Sequence, residues 1–366
     1  MQIFKGNKSV IGIIERPQKL TSLQFIRIVC AVGIILYHVS VHTEAEAQKY
    51  FINYANGGYG ELFVGIFLLM SGGVLYYNYK EIPSLKGFYY KRWKSIFPTF
   101  YVIWFYYYLD SAISYRSVFY KGIPAMFFTV FGMDGYFAYR FDTYYKVGEW
   151  FLGALVFMYA LYPLFAKIVN KFKYWFLLIL VPLWIWQVNT DIFIIPPTIN
   201  LIYISLVFVT GMLIFKYRLF NNVYIKSASV ITSAILLFVP LNINVLYTNY
   251  LTLISLFFTV YFIGEYVVKV KIFEKVTGFL GDLTFPVYLL QNTTVLMILH
   301  YIQPDSAVKF TAVSVVALAV CVLHSWYVKA IVKALTNTKW FKKLDEFFLN
   351  NKQSLKGDKN GPDKSN

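Results

Sequence analysis

"RIVCAVGIILYH", residues 27–38, sets ten apolar or small residues between an arginine and a histidine. It lies inside a longer apolar run, 21–42, which is long enough to cross a bilayer. Ionisable side chains are costly at such a place and usually face a bundle interior or a water-filled cavity. Eleven steps of about 100° come to within roughly 20° of three whole turns, so Arg27 and His38 project from one face of a helix. Along the axis they stand ~16 Å apart. A snorkelling arginine and an interfacial histidine with no shared role fit the same spacing.

The rest of the chain is of the same kind. Of its 366 residues 58% are hydrophobic and 14% charged, against about 25% charged in a soluble domain. Apolar stretches of spanning length fall at 21–42, 60–79, 97–118, 147–166, 174–190, 199–215, 227–245, 248–268, 283–303 and 308–328. The segments on one side of these spans hold most of the lysines and arginines. The other side holds Lys49, Arg116, Lys121, Arg140, Lys146 and Lys309. This bias predicts an all-α polytopic membrane protein of about ten transmembrane helices with both termini cytoplasmic. The expected organisation is a cytoplasmic N-terminal segment (1–20), one membrane domain (21–330) and a cytoplasmic basic tail (331–366), disordered at its end. The net charge of +16 then faces anionic lipid headgroups and is no nucleic-acid patch. The two cysteines, Cys30 and Cys321, lie in apolar segments and support neither a disulfide framework nor a metal site. Residues 119–146 form the longest connection, rich in Tyr, Phe and Asp. Its ten-residue apolar piece at 123–132 is too short to span and suits a re-entrant or interfacial helix.

Four further clusters carry chemistry. Lys91, Arg92 and Lys94 precede Pro98 in "FYYKRWKSIFP" (88–98). They serve either as positive-inside punctuation or as a phosphate-binding group beside Arg27. Ser71-Gly72-Gly73 in "VGIFLLMSGGVL" (64–75) lets a neighbouring helix or a narrow ligand approach the backbone. Glu149 and Trp150 open "GEWFLGALVFMYALYPL" (148–164) at the membrane side of His38, where a carboxylate can orient an imidazole or meet a sugar hydroxyl. Glu61 is the rival carboxylate, and either acid also suits a solvated helix end. In "GDLTFPVYLLQNTTV" (281–295), Tyr288 and Gln291 share a face at i and i+3, which equally suits polar contacts between helices.

In this order on a ten-helix chain, these pieces resemble the membrane-bound acyltransferase-3 family, which includes bacterial polysaccharide O-acetyltransferases and the intercellular-adhesin-type membrane acyltransferase. The family's first helix carries a basic residue, ten intervening residues and a histidine, matched by Arg27 and His38. Val64 to Gly72 looks like its "V-x-x-F-F-x-x-S-G" pattern, and the resemblance covers roughly residues 20–330. Departures are Lys91 and Ser95 at usual arginines, with Lys94 one residue away, Gln291 at a frequent histidine, Leu155 at a frequent glutamate and Gln24 at a frequent aspartate.

The resemblance implies an O-acyltransferase of a bacterial inner or plasma membrane. The donor is acetyl-CoA or another acyl-CoA, with no metal, and the acceptor a hydroxyl of a glycan or lipid-linked glycan. On that implication Arg27, Lys91, Arg92, Lys94, Ser71 and Gly72 bind the donor. His38 is general base or transient acyl carrier, with Glu149 orienting it, and Trp150, Glu61, Tyr288 and Gln291 meet the acceptor. An exporter of polysaccharide or lipid-linked sugar is the alternative, since many helices and a polar mouth serve that too.

Overall fold

The computed structural model describes residues 18–46, 49–138, 140–145, 147–190 and 195–349. The N-terminal segment and the end of the tail, expected to be cytoplasmic and disordered respectively, lie outside the described residues. The first helix, α1 (Gln18–His42), runs unbroken through the opening stretch, so Arg27 and His38 keep their common face. A two-stranded hairpin follows, β1 (Asn53–Tyr54) paired antiparallel with β2 (Gly57–Gly58), Asn53 opposite Gly58. Next come α2 (Tyr59–Asn78) and α3 (Leu85–Ser114), the short α4 (Met126–Val130) and α5 (Asp134–Phe137), then α6 (Glu149–Phe172) and α7 (Leu177–Val188). The chain continues through α8 (Leu201–Lys216), α9 (Val223–Phe238), α10 (Val245–Val267), α11 (Lys271–Gly281), α12 (Thr284–Tyr301), α13 (Ala307–Thr336) and α14 (Lys339–Leu349).

All ten apolar stretches fall on helices, yet among the described residues five helical stretches are long and apolar enough to cross a membrane. These are Thr21–His42, Tyr59–Asn78, Glu149–Val188, Val245–Val267 and Ala307–Thr336. α8 and α9 are apolar but shorter, and α3 mixes its apolar residues with Lys86, Lys91, Arg92, Lys94 and Asp110. The fourth and fifth expected stretches form one 40-residue candidate, broken where Lys173 takes a φ of +56°. The expected helix at 123–132 is instead a 3-10 turn at Ile123–Ala125 followed by the five-residue α4.

α1 packs against α2, α10, α11, α12 and α13, with His38 buried and Arg27 half-buried. Its neighbour α2 lies with its backbone directly on α8. A Cβ added at Gly72 would stand 2.1 Å from the Phe208 carbonyl oxygen, and one at Gly211 would stand 1.9 Å from that of Leu69. Van der Waals contact of this closeness replaces the hydrophobic drive that lipid cannot supply. Gly72, expected to admit a ligand, is therefore covered by α8. The packing alternative accounts for it, because no space remains over its Cα.

Candidate active site

His38 lies near the end of α1 and is 8% exposed. It meets the start of α6, where the chain turns sharply. Gly148 has φ +91°, and Glu149 itself has φ +38°, a left-handed conformation rare for a residue with a side chain. Such strain costs on the order of 1–3 kcal/mol and persists only where surroundings over-determine it. Two contacts do so here. The Tyr288 hydroxyl donates to the Gly148 carbonyl at 3.0 Å, and the Glu149 backbone lies on Gly135, whose added Cβ would be 2.2 Å from the Glu149 carbonyl oxygen.

The turn delivers Glu149 Oε1 to 3.1 Å from His38 Nε2. Gln291 Nε2 donates to the same oxygen at 3.2 Å. Tyr288 and Gln291, one turn apart on α12, thus hold two successive residues, Gly148 and Glu149. A carboxylate only accepts, so Nε2 carries a hydrogen, and in the neutral ring Nδ1 keeps the lone pair. That Nδ1 is buried and has no hydrogen-bond partner among the described residues. Leaving a buried acceptor unpaired is costly, and an unpaired lone pair beside a cavity is available to a base or nucleophile.

The residues around this pair enclose a cavity of about 610 Å3, lined by His38, His42, Glu61, Tyr145, Glu149 and Trp150 among others. Glu61 shares the cavity without meeting the imidazole, since its Oε2 accepts from Asn249 Nδ2 at 3.0 Å. Of the two candidate carboxylates, Glu149 is the one at His38. Three residues outside the sequence-predicted set also lie here. His42 stacks on His38 with ring centroids 5.7 Å apart, and its Nε2 lies 3.0 Å from Asn292 Oδ1. Asn292 also bonds Tyr145. The i, i+4 spacing of the two histidines was the available signal; Asn292 and Tyr145 left none. Burial, with the charge of Glu149 adding to it, pushes the Tyr145 phenol up, so it stays a hydrogen-bond donor.

Beneath the same turn, Asp134 is buried in the 119–146 connection. Its Oδ1 accepts from Thr129 Oγ1 at 3.0 Å and its Oδ2 has no partner among the described residues. Burial pushes this carboxyl up to about 7, against the pull of Thr129 and the Tyr144 backbone. A carboxyl raised in this way favours the folded state below its unfolded value of about 4, and that contribution is lost as the pH rises through 7. Asp134→Asn is expected to remove this dependence: its thermal midpoint in detergent should change less between pH 5 and pH 8 than that of the unaltered protein.

Arg27 and Arg92 converge on a second polar group. Arg27 Nη1 donates to Gln24 Oε1 at 3.3 Å, and Arg92 Nη2 donates to the Tyr79 hydroxyl at 3.3 Å. The Arg92 guanidinium lies 5.8 Å from the Tyr159 ring centre. The Tyr159 hydroxyl bonds Ser71 and Arg92 and feels the charge of Arg27. Four sequence-predicted or neighbouring residues, from α1, α2, α3 and α6, therefore share one locus. Lys91 is exposed beside it, 5.9 Å from the Tyr79 ring centre. Lys94, expected with these cations, is engaged elsewhere: its ammonium lies 2.7 Å from both carboxylate oxygens of Asp345 on α14. A cation so neutralised is not free to pair with a phosphate, because the tail helix supplies the anion.

A family model described as an acyltransferase domain matches residues 20–326. No curated protein and no solved structure matches the chain.

Proposed function

Because the chain belongs to the acyltransferase-3 family, we propose that it moves an acyl group, acetyl in the first instance, from a cytoplasmic acyl-CoA to a sugar hydroxyl of a cell-envelope or extracellular polysaccharide. The observation that carries this reading is the Gln291–Glu149–His38 chain of hydrogen bonds beside a cavity. The positive-inside bias supports placing the Arg27 end of α1 in the cytoplasm and the His38 end outward.

On this reading Arg27 and Arg92, with the exposed Lys91, attract the phosphates of the donor. Its extended arm runs along α1 toward His38, past Ser71 and Tyr159. His38 Nδ1 takes the proton of the acceptor hydroxyl as that oxygen bonds to the thioester carbonyl carbon. The carbon–sulfur bond then breaks, and the same proton passes to the departing thiolate. Glu149 holds the ring in the useful tautomer and supports the imidazolium while it lasts, and Gln291 fixes Glu149. Tyr145, kept protonated, is a donor at the cavity wall for charge developing on the carbonyl oxygen. Transient acylation of Nδ1 uses the same groups in two steps.

Mass spectrometry of cell-surface glycans with and without the protein tests the reading. The expected result is one acyl mass per modified sugar, present only with the protein. Surface glycan that carries no ester even with the protein present, and that disappears from the surface without it, would favour the exporter instead.

A further inference from the structure

The cavity beside His38 has a neighbour. A second one, of about 440 Å3, is lined by Asn53, Tyr54, Gly57, Gly58 and Val245, among others. Tyr37, Gly60 and Glu61 line both cavities, so the two adjoin across a wall made of those residues. Tyr37 directly precedes His38, and their rings meet edge to face with centroids 5.3 Å apart.

The wall is fixed in place. Asn249, 1% exposed, donates to Glu61 Oε2 at 3.0 Å and accepts from the Tyr54 hydroxyl at 2.9 Å. One buried amide thus locks a residue from each side of the second cavity. Asn56 fastens the hairpin to the end of α9, donating to the Leu236 and Val239 carbonyls at 2.6 and 2.7 Å. Its Oδ1 accepts from the Leu241 amide at 2.8 Å. The Tyr37 ring rests on the bare backbone of Gly60, where a Cβ would stand 2.7 Å from its carbons. Pre-organised groups of this kind lower the ordering cost of binding.

The chemistry on offer is two phenol rings, a carboxylate, an amide and glycine backbone; among the described residues none that lines it is a cation. A uronate or phosphate would meet the Glu61 carboxylate unfavourably. A neutral polyhydroxylated ring can give its hydroxyls to Glu61 and Asn53 and lay an apolar face on Tyr37.

We propose that this second cavity is an acceptor subsite, and that the acceptor is an oligomeric glycan whose reacting unit lies over His38 while an uncharged neighbouring unit fills the space between Tyr37 and the hairpin. The proposal rests on the glycan-acyltransferase reading above and adds a length requirement to it. Binding energy gathered away from the reacting unit raises transfer to it.

The test uses the purified full chain, acetyl-CoA, and the host's surface glycan, stripped of esters by mild base and cut into a ladder from one unit upward. Fragments of two or more units are expected to show a kcat/KM at least about tenfold above the single unit. Gly58→Trp should bring that ratio toward one. Position 58 is extended (φ −95°, ψ 135°), and an added Cβ meets nothing closer than 3.7 Å, so the indole can occupy the cavity. If that variant loses all transfer, Asn53→Ala decides through the same ratio. Equal rates at every length, or an unchanged ratio in the deciding variant, overturn the subsite. Failure of the underlying reading looks different: no fragment of any length is labelled, whether or not acetyl-CoA is consumed.

Discussion

If His38 is the acid–base group proposed above, His38→Ala is expected to lower acyl transfer by about 10²- to 10⁴-fold, the range a positioned group of that kind contributes. If the acyl group rides on Nδ1, the loss is greater still, because no other group takes its place in the chain from Gln291. The protein should still reach the membrane and elute as a folded species, since removing an imidazole beside a cavity leaves the α2–α8 backbone contact untouched. Surface polymer should be present and lack its ester. The measurement is label transferred from acetyl-CoA to glycan, together with glycan mass. Full esterification in the variant would sink the assignment, and esterification retained with surface polymer lost would turn the reading toward export.

Glu149→Gln is expected to cost ~10²–10⁴-fold in kcat. The new amide is nearly isosteric, so the turn at Gly148 and the cavity volume should persist. Its nitrogen, however, cannot accept the Nε2 hydrogen, and its oxygen carries no charge to support an imidazolium. The affinity for acyl-CoA should change little, because Arg27, proposed above to meet the donor's phosphates, stands about 16 Å along α1 from His38. Nitrogen NMR of labelled histidine provides the readout that separates positioning from simple damage: the Nε2–H form of His38 should give way to a mixture of tautomers. A Glu149→Gln protein with undiminished kcat would remove the carboxylate from the mechanism. The parallel change at Glu61 should act on acceptor use, since Glu61 is held by Asn249 and lies away from the imidazole.

Much of the framework could be read in the chain because helix geometry is local. The eleven-residue interval from Arg27 to His38 fixes their shared face whatever surrounds α1, and the i, i+3 pair Tyr288 and Gln291 shares a side by the same arithmetic. Composition and loop charge supplied the membrane class. Length and apolarity alone supported fewer crossings than the ten stretches suggested, because charged residues and short helices dilute the signal in α3, α8 and α9.

What the chain could not announce was which helix ends meet. Glu61 and Glu149 have the same chemistry and similar depth. The choice between them was made by the left-handed backbone at Gly148 and Glu149 and by the residues that hold it, Tyr288, Gln291 and Gly135, from two other segments. Lys94 was lost to the cation group because Asp345, 251 positions along the chain, reached it first. Gly72 was lost to the ligand because α8 needed its backbone. Periodic placement along each helix follows from 3.6 residues per turn, so the chain carries it locally. Partners depend on steric fit between segments far apart in the chain, so they emerge with the packed fold.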